Sequence, residues 1–213
     1  MRPLVELIDQ QDPALPLIQT WAQEADLNVE LLAPSSERDT VLLDLQVTTR
    51  SPLGAIAHDT GGILIDGGWL RMLGSGHARL GRDLSGWNRD RANGFLLVAD
   101  DVVGGFFAIN GGGLGDDRGA IHYFAPDTLA WESLEVGHTA FVQWAFSERL
   151  REFYGDSYWT GWESDVAALG GDACFGFYPF LFTREGSTQA SSRRPLSVGE
   201  QYAFSVSGEK SPT

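Results

Sequence analysis

The chain has 213 residues, 43% hydrophobic and 11% aromatic, which is enough apolar material for one folded domain and excludes disorder as the default. Its formal charge of −14 disfavours nucleic acid, whose phosphates would be repelled over most of the surface. The lone cysteine, Cys174, excludes an internal disulfide, and the 26 glycines, clustered without a period, exclude a collagen-like chain and indicate many tight turns.

In chain order, Arg2 to Asp9 forms a short helix with Leu4, Val5 and Ile8 on one side. Asp12-Pro13 reads as an N-cap followed by a proline in the first turn, and Leu15, Ile18, Trp21, Ala22 and Ala25 then repeat at helical spacing over 13–25. Asn28 to Leu32 is a strand. Ser36-x-x-Asp39 resembles a capping box ahead of Val41, Leu42 and Leu45, and the run from there to Gln46 fits helix or strand. Ser51-Pro52 repeats the cap-plus-proline device for a helix carrying Leu53, Ile56 and Ala57, closed by Gly61-Gly62. Two strands, Ile63 to Asp66 and Trp69 to Leu73, flank a turn at Gly67-Gly68.

Gly74 to Asn93 is polar, glycine-rich and locally basic, with Arg71 just ahead of it and Arg79, Arg82, Arg89 and Arg91 outnumbering Asp83 and Asp90. It reads as a long surface excursion with Trp87 exposed, and long excursions are often functional. The centre of the sheet follows: strands at Phe95 to Ala99, Phe106 to Ile109 and Ala120 to Phe124, the last with Ile121 and Tyr123 on one face and His122 and Phe124 on the other. Thr139 to Tyr154 is one amphipathic helix, with Val142, Phe146, Leu150 and Phe153 in a stripe and Gly155 at its end. The aromatic region 158–182 fits irregular chain or strand, 186–194 a polar loop, 195–207 a strand, and 208–213 a polar tail.

No motif fixes a chemical activity. Gly112-Gly113-Leu114-Gly115-Asp116-Asp117 matches one copy of a calcium-binding repeat that works by stacking copies, so an acidic hairpin loop is the expectation and no metal is assigned. Gly74-Ser75-Gly76-His77 lacks nucleophile-elbow spacing. The histidines (His58, His77, His122, His138) are scattered without zinc spacing, and no cofactor is implied. Asp100, Asp101, Asp116, Asp117 and Asp127 fall at the ends of the central strands, where acids also serve as ordinary turn residues. Trp69 and Trp131 accompany strands, and Cys174, between Ala173 and Phe175, reads as a buried inert thiol. Met1 to Gln11 lacks the basic start and apolar centre of a secretory leader, and no run nears the roughly 18 apolar residues of a membrane span. A cytoplasmic protein is expected.

The segments ILIDGGWLRMLGSG, GFLLVADDVVGGFFAINGG and GAIHYFAPDTLAWESLEVGHTAFVQWAFS together resemble the bacterial family catalogued as domain of unknown function 2625 over most of the chain. More distantly, roughly over 62–146, they resemble the SUKH (Smi1/Knr4-like) superfamily. That likeness implies a single α+β domain: a mixed or mostly antiparallel sheet, its core roughly at 62–131, with helices packed against it. It also implies the role of immunity proteins that neutralise secreted toxins, and an acidic surface suits a basic toxin. It supplies no catalytic residues.

The first expectation is therefore a non-enzymatic interaction protein that meets a basic partner through Asp100, Asp101, Asp116, Asp117 and Trp87, with no nucleic acid or membrane involved. The alternative is a small-molecule-binding protein or hydrolase, with a pocket built from Trp69, His77 and the strand-end acids. Self-association through the aromatic 158–182 region is compatible with either.

Overall fold

Seven strands that follow one another in the chain also follow one another in space. The computed structural model describes residues 1–91 and 93–206, and the expected tail at 208–213 lies outside the described residues. The sheet runs in the order β1 (Val29–Leu32), β2 (Gly62–Ile65), β3 (Leu70–Leu73), β4 (Phe95–Asp101), β5 (Phe106–Asn110), β6 (Ala120–Ala125) and β7 (Ala130–Gly137). Every pairing is antiparallel. The sheet therefore extends beyond 62–131 at both ends, and the α+β expectation holds in its antiparallel form.

Register sorts the side chains into two rows. Leu31, Ile63, Met72, Ala99, Phe107 and Tyr123 are successive cross-strand partners on one face. Glu30, Leu64, Arg71, Asp100, Phe106, Phe124 and Trp131 form the row on the other. Both faces of β2 and β3 are buried, so these strands are apolar throughout apart from Arg71.

Helices cover the first face. After α1 (Leu4–Leu7) and α2 (Leu15–Gln23), α3 (Arg38–Leu45) packs on α4 (Pro52–Asp59), and α4 packs on β2. The Ser51 hydroxyl caps α4 by accepting from the Gly54 N–H at 3.1 Å, as its sequence signature predicts. The other two expected starts differ. Helix α2 takes Ala14 as N-cap and Pro16 in its first turn, while Asp12 donates its N–H to Asp9 instead. Helix α3 starts from Glu37 without a side-chain cap, and Asp39 faces His58 at 2.9 Å.

The expected helix over 139–154 is two: α6 (His138–Ala145) and α7 (Arg149–Tyr154). At the break, the Ser147 hydroxyl and N–H both donate to the Trp144 carbonyl, and the Glu148 N–H turns away to Asp26. A serine satisfying backbone from within a turn competes with continuation of the helix. Phe141 from α6 lies 5.0 Å from Phe107 and closes the core on this side.

The second face is covered by α5 (Leu84–Asn88), a hairpin of β8 (Ala173–Tyr178) with β9 (Ser192–Ser197), and α9 (Val198–Ser205); α8 (Trp162–Ala168) leads into the hairpin. The strand expected over 195–207 ends at Ser197 because a full capping box starts a helix there. The Ser197 hydroxyl accepts from the Glu200 N–H, and the Glu200 carboxylate accepts from the Ser197 N–H. Tyr202 of α9 meets Phe106 edge-on at 5.1 Å. No helix among the described residues is long and apolar enough to cross a membrane.

Candidate functional site

Asp100 and Asp101 are adjacent on β4, so their side chains point to opposite faces of the sheet. Both are buried, at 1% and 0% exposure, and neither belongs to an open binding face as expected from the sequence. On the second face Asp100 sits opposite Arg71 in register. Its Oδ1 is 2.5 Å from Arg71 Nη2, a charge contact, while that nitrogen donates to the Asp101 carbonyl at 2.9 Å. Arg82 Nη1 reaches Asp100 Oδ2 at 2.5 Å, its Nε donates to Asp172 at 2.9 Å, and its Nη2 donates to the Gly171 carbonyl. Arg71 also donates to the Ala173 carbonyl at the start of β8. One arginine of the basic excursion, Arg82, thus neutralises a buried acid, while Arg79 and Arg89 pair with the exposed Glu30 and Asp44. Burial works against the Arg82 guanidinium, but Asp100 and Asp172 outweigh it and raise its pKa.

On the first face Asp101 receives four donors. The Val103 and Gly105 N–H groups donate to Oδ1 at 3.0 and 2.7 Å, and the Tyr123 and Tyr154 hydroxyls donate to Oδ2 at 2.9 and 2.7 Å. Burial raises the Asp101 carboxyl, and the Gly105 N–H, the two tyrosines and Arg71 pull it back. Gly105 is required by close approach: a Cβ there would overlap the Tyr123 hydroxyl and the Asp101 carboxylate.

Trp87 is also inside. It is 7% exposed, with the Arg91 and Arg82 guanidinium groups over its ring at 4.3 and 4.9 Å and Tyr202 edge-on at 6.1 Å. Nor do Trp69 and His77 converge in a pocket. Trp69 is 0% exposed among Tyr154, Tyr158, Trp159 and Trp162, whereas half-buried His77 lies beyond the other end of β3, roughly 13 Å of strand away. His77 Nδ1 accepts from the Arg79 N–H, and Ser75 bonds Thr60 and Ser35 rather than His77. Cys174 is buried, which pushes its thiol up to about 12.

Asp116 and Asp117 are exposed, as expected. Asn110, His122 and Ser133 come from three neighbouring strands, with His122 opposite Ser133 in register, and all three converge on Asp117. The Asn110 amide donates to Oδ1 at 2.8 Å, His122 Nε2 is 3.0 Å from both oxygens, and the Ser133 hydroxyl donates to Oδ2 at 2.5 Å. These bonds, Ser133 first and then His122, hold the carboxyl at about 2. Asn110 Oδ1 accepts from the Gly112 and Leu114 N–H groups and fixes the loop from within. One of the two edges of the sheet lies here: among the described strands β7 pairs only with β6, as β1 at the other edge pairs only with β2. Exposed Glu132 and Glu135 on β7, Asp116 and Asp117 before β6 and Asp127 in the β6–β7 turn stand against Arg118.

A second feature lies between the hairpin, α9 and the 126–129 turn. It is an open groove of about 850 Å³ lined by Tyr178, Phe180, Phe182, Arg194 and Phe204, among others. Phe180 and Phe182 stack at 5.1 Å and 9°, Phe204 is 5.3 Å from Phe180, and Tyr178 on the rim is 70% exposed. The sequence marks the aromatic run but not its direction, because strand alternation sends Phe175 and Phe177 inward and Tyr178 outward.

A family model described as "Protein of unknown function DUF2625" matches residues 4–201. The chain is 47% identical over 204 residues to the uncharacterised protein YbfG of Escherichia coli (strain K12), covering 94% of each chain. It is 38% identical over 191 residues to an uncharacterised protein of Haemophilus influenzae, covering 85% of this chain and 83% of that one. No solved structure matches.

Proposed function

Since the chain belongs to the DUF2625 family of proteins of unknown function, we propose that it is a cytoplasmic, non-enzymatic protein-interaction module that binds a basic protein along the acidic edge of its sheet. The specific form of the role is immunity: neutralisation of a basic toxin, as the looser SUKH likeness suggests.

The observation that carries this reading is the placement of Asp116, Asp117, Asp127, Glu132 and Glu135 at one free sheet edge with Arg118 as the cation among them. A charge of −14 over the whole molecule steers a basic partner toward it and speeds the encounter. The binding face expected from the sequence is thereby revised. Asp116 and Asp117 stay, Glu132 and Glu135 join them, and Asp100, Asp101 and Trp87 leave because they are buried.

The test is affinity capture from the source lysate at low and high salt, with the wild type and an Asp116→Lys/Glu132→Lys/Glu135→Lys variant. Asp117 is left intact because it shapes the loop. A basic protein retained at low salt, released at high salt and lost with the variant is the expected result. An unchanged set of retained proteins sinks the proposal.

A further inference from the structure

The aromatic groove differs from the rest of the surface in charge as well as polarity. Residues 173–206, which supply most of it, carry Arg184, Arg193 and Arg194 against Glu185 and Glu200, while the whole chain carries 29 acids against 15 bases. Arg193 is engaged with Asp165 at 3.2 Å and lies over Trp159, and the charge on Arg194 acts on Glu200 across the groove. A second copy would be repelled by most of this molecule but not by this strip.

Tyr178 projects at 70% exposure beside a concavity walled by Phe180, Phe182 and Phe204, which are 36–39% exposed. A two-fold axis through the groove would bring each Tyr178 to the hollow of the other copy. From those exposures the four rings offer roughly 400 Å² of aromatic surface, about half of the ~800 Å² each partner buries in a stable interface. Strand addition is blocked. The Phe175 N–H points away from β9 to Val102, so Pro195, its register partner, stands with its nitrogen on the outer edge of β9, where it has no N–H to offer. Contact is therefore through side chains.

We infer that the chain forms a symmetric homodimer through the groove bounded by the β8–β9 hairpin and α9, with Tyr178, Phe180, Phe182 and Phe204 at its centre. The groove meets the acidic edge only at the 126–129 turn, where Asp127 sits, and Asp116, Asp117, Glu132 and Glu135 lie outside its lining, so the dimer presents two acidic edges and either reading can fail without the other.

Sedimentation velocity of the whole chain, over a concentration series at about 50 and 500 mM salt, tests it. A dimer that tightens at the higher salt, as the net charges are screened, is the expected result; binding of a basic partner has the opposite salt dependence. Tyr178→Ser and Phe180→Ser, both at exposed positions, should each raise the dissociation constant at least about tenfold. Circular dichroism melts would verify that each variant folds. A chain that stays monomeric to about 200 µM at both salts, a range that covers ordinary dimer affinities, overturns the inference. So does a dimer indifferent to both substitutions, or a monomer that native mass spectrometry shows carrying an apolar small molecule lost with Phe180→Ser.

Discussion

Asp101→Asn keeps the size of the side chain and reverses the sense of half its hydrogen bonding. The native carboxylate offers only acceptors to two N–H groups and two tyrosine hydroxyls, and an amide would turn a donor toward one of those pairs. Urea unfolding should show a loss of about 3 kcal/mol, since the orphaned groups are buried. Asp117 shows the exposed counterpart. Its pKa in the folded chain, about 2, lies below the ordinary 3.8, so its contribution is complete above 3.8 and fades as pH falls through 2. Protection of the Gly112 and Leu114 amides, taken as exchange slower than that of an unstructured chain at the same pH and measured between about pH 2 and pH 5 to span that interval, should be lost only at the acid end. In Asp117→Asn it should be low throughout.

Among the helices, α9 depends most visibly on its cap. Ser197→Ala removes an acceptor for the Glu200 N–H and a donor to the Glu200 carboxylate, and a loss of about 1 kcal/mol in thermal or urea unfolding is expected. The Ser-x-x-Glu signature of that start is plain in the sequence, yet the β-branched and apolar residues around it read as strand. Elements whose apolar spacing is regular, such as β1, α4 and the β4–β6 strands, were legible in the same way. The site was less so. Arg82 lies 18 positions from Asp100, and Arg71 lies 30 positions from Asp101. Only the β3–β4 register shows that a basic excursion and an acidic strand end neutralise one another. A local reading sees two charged, solvated segments where the fold makes one buried network.

For the molecule as a whole, that network is the charged tie between the sheet and the hairpin, beside the Phe175 N–H bond to Val102. Arg82→Met removes the charge shared by Asp100 and Asp172 and leaves Asp100 buried with Arg71 alone, for which a cost of about 3 kcal/mol is expected. Limited proteolysis should then cut first within 179–191, between β8 and β9. The order β1 to β7 has a further consequence, for synthesis. Each strand of the meander finds its partner already emerged when it leaves the ribosome, so the sheet can zip up vectorially through contacts of short sequence separation. The β8–β9 leaf and α9 are made after the sheet, yet they cover Phe106, Arg71 and Asp100, which must wait with one face bare. A nascent chain halted before Ala173 would therefore expose the second face, and that is the stage at which it should engage a chaperone.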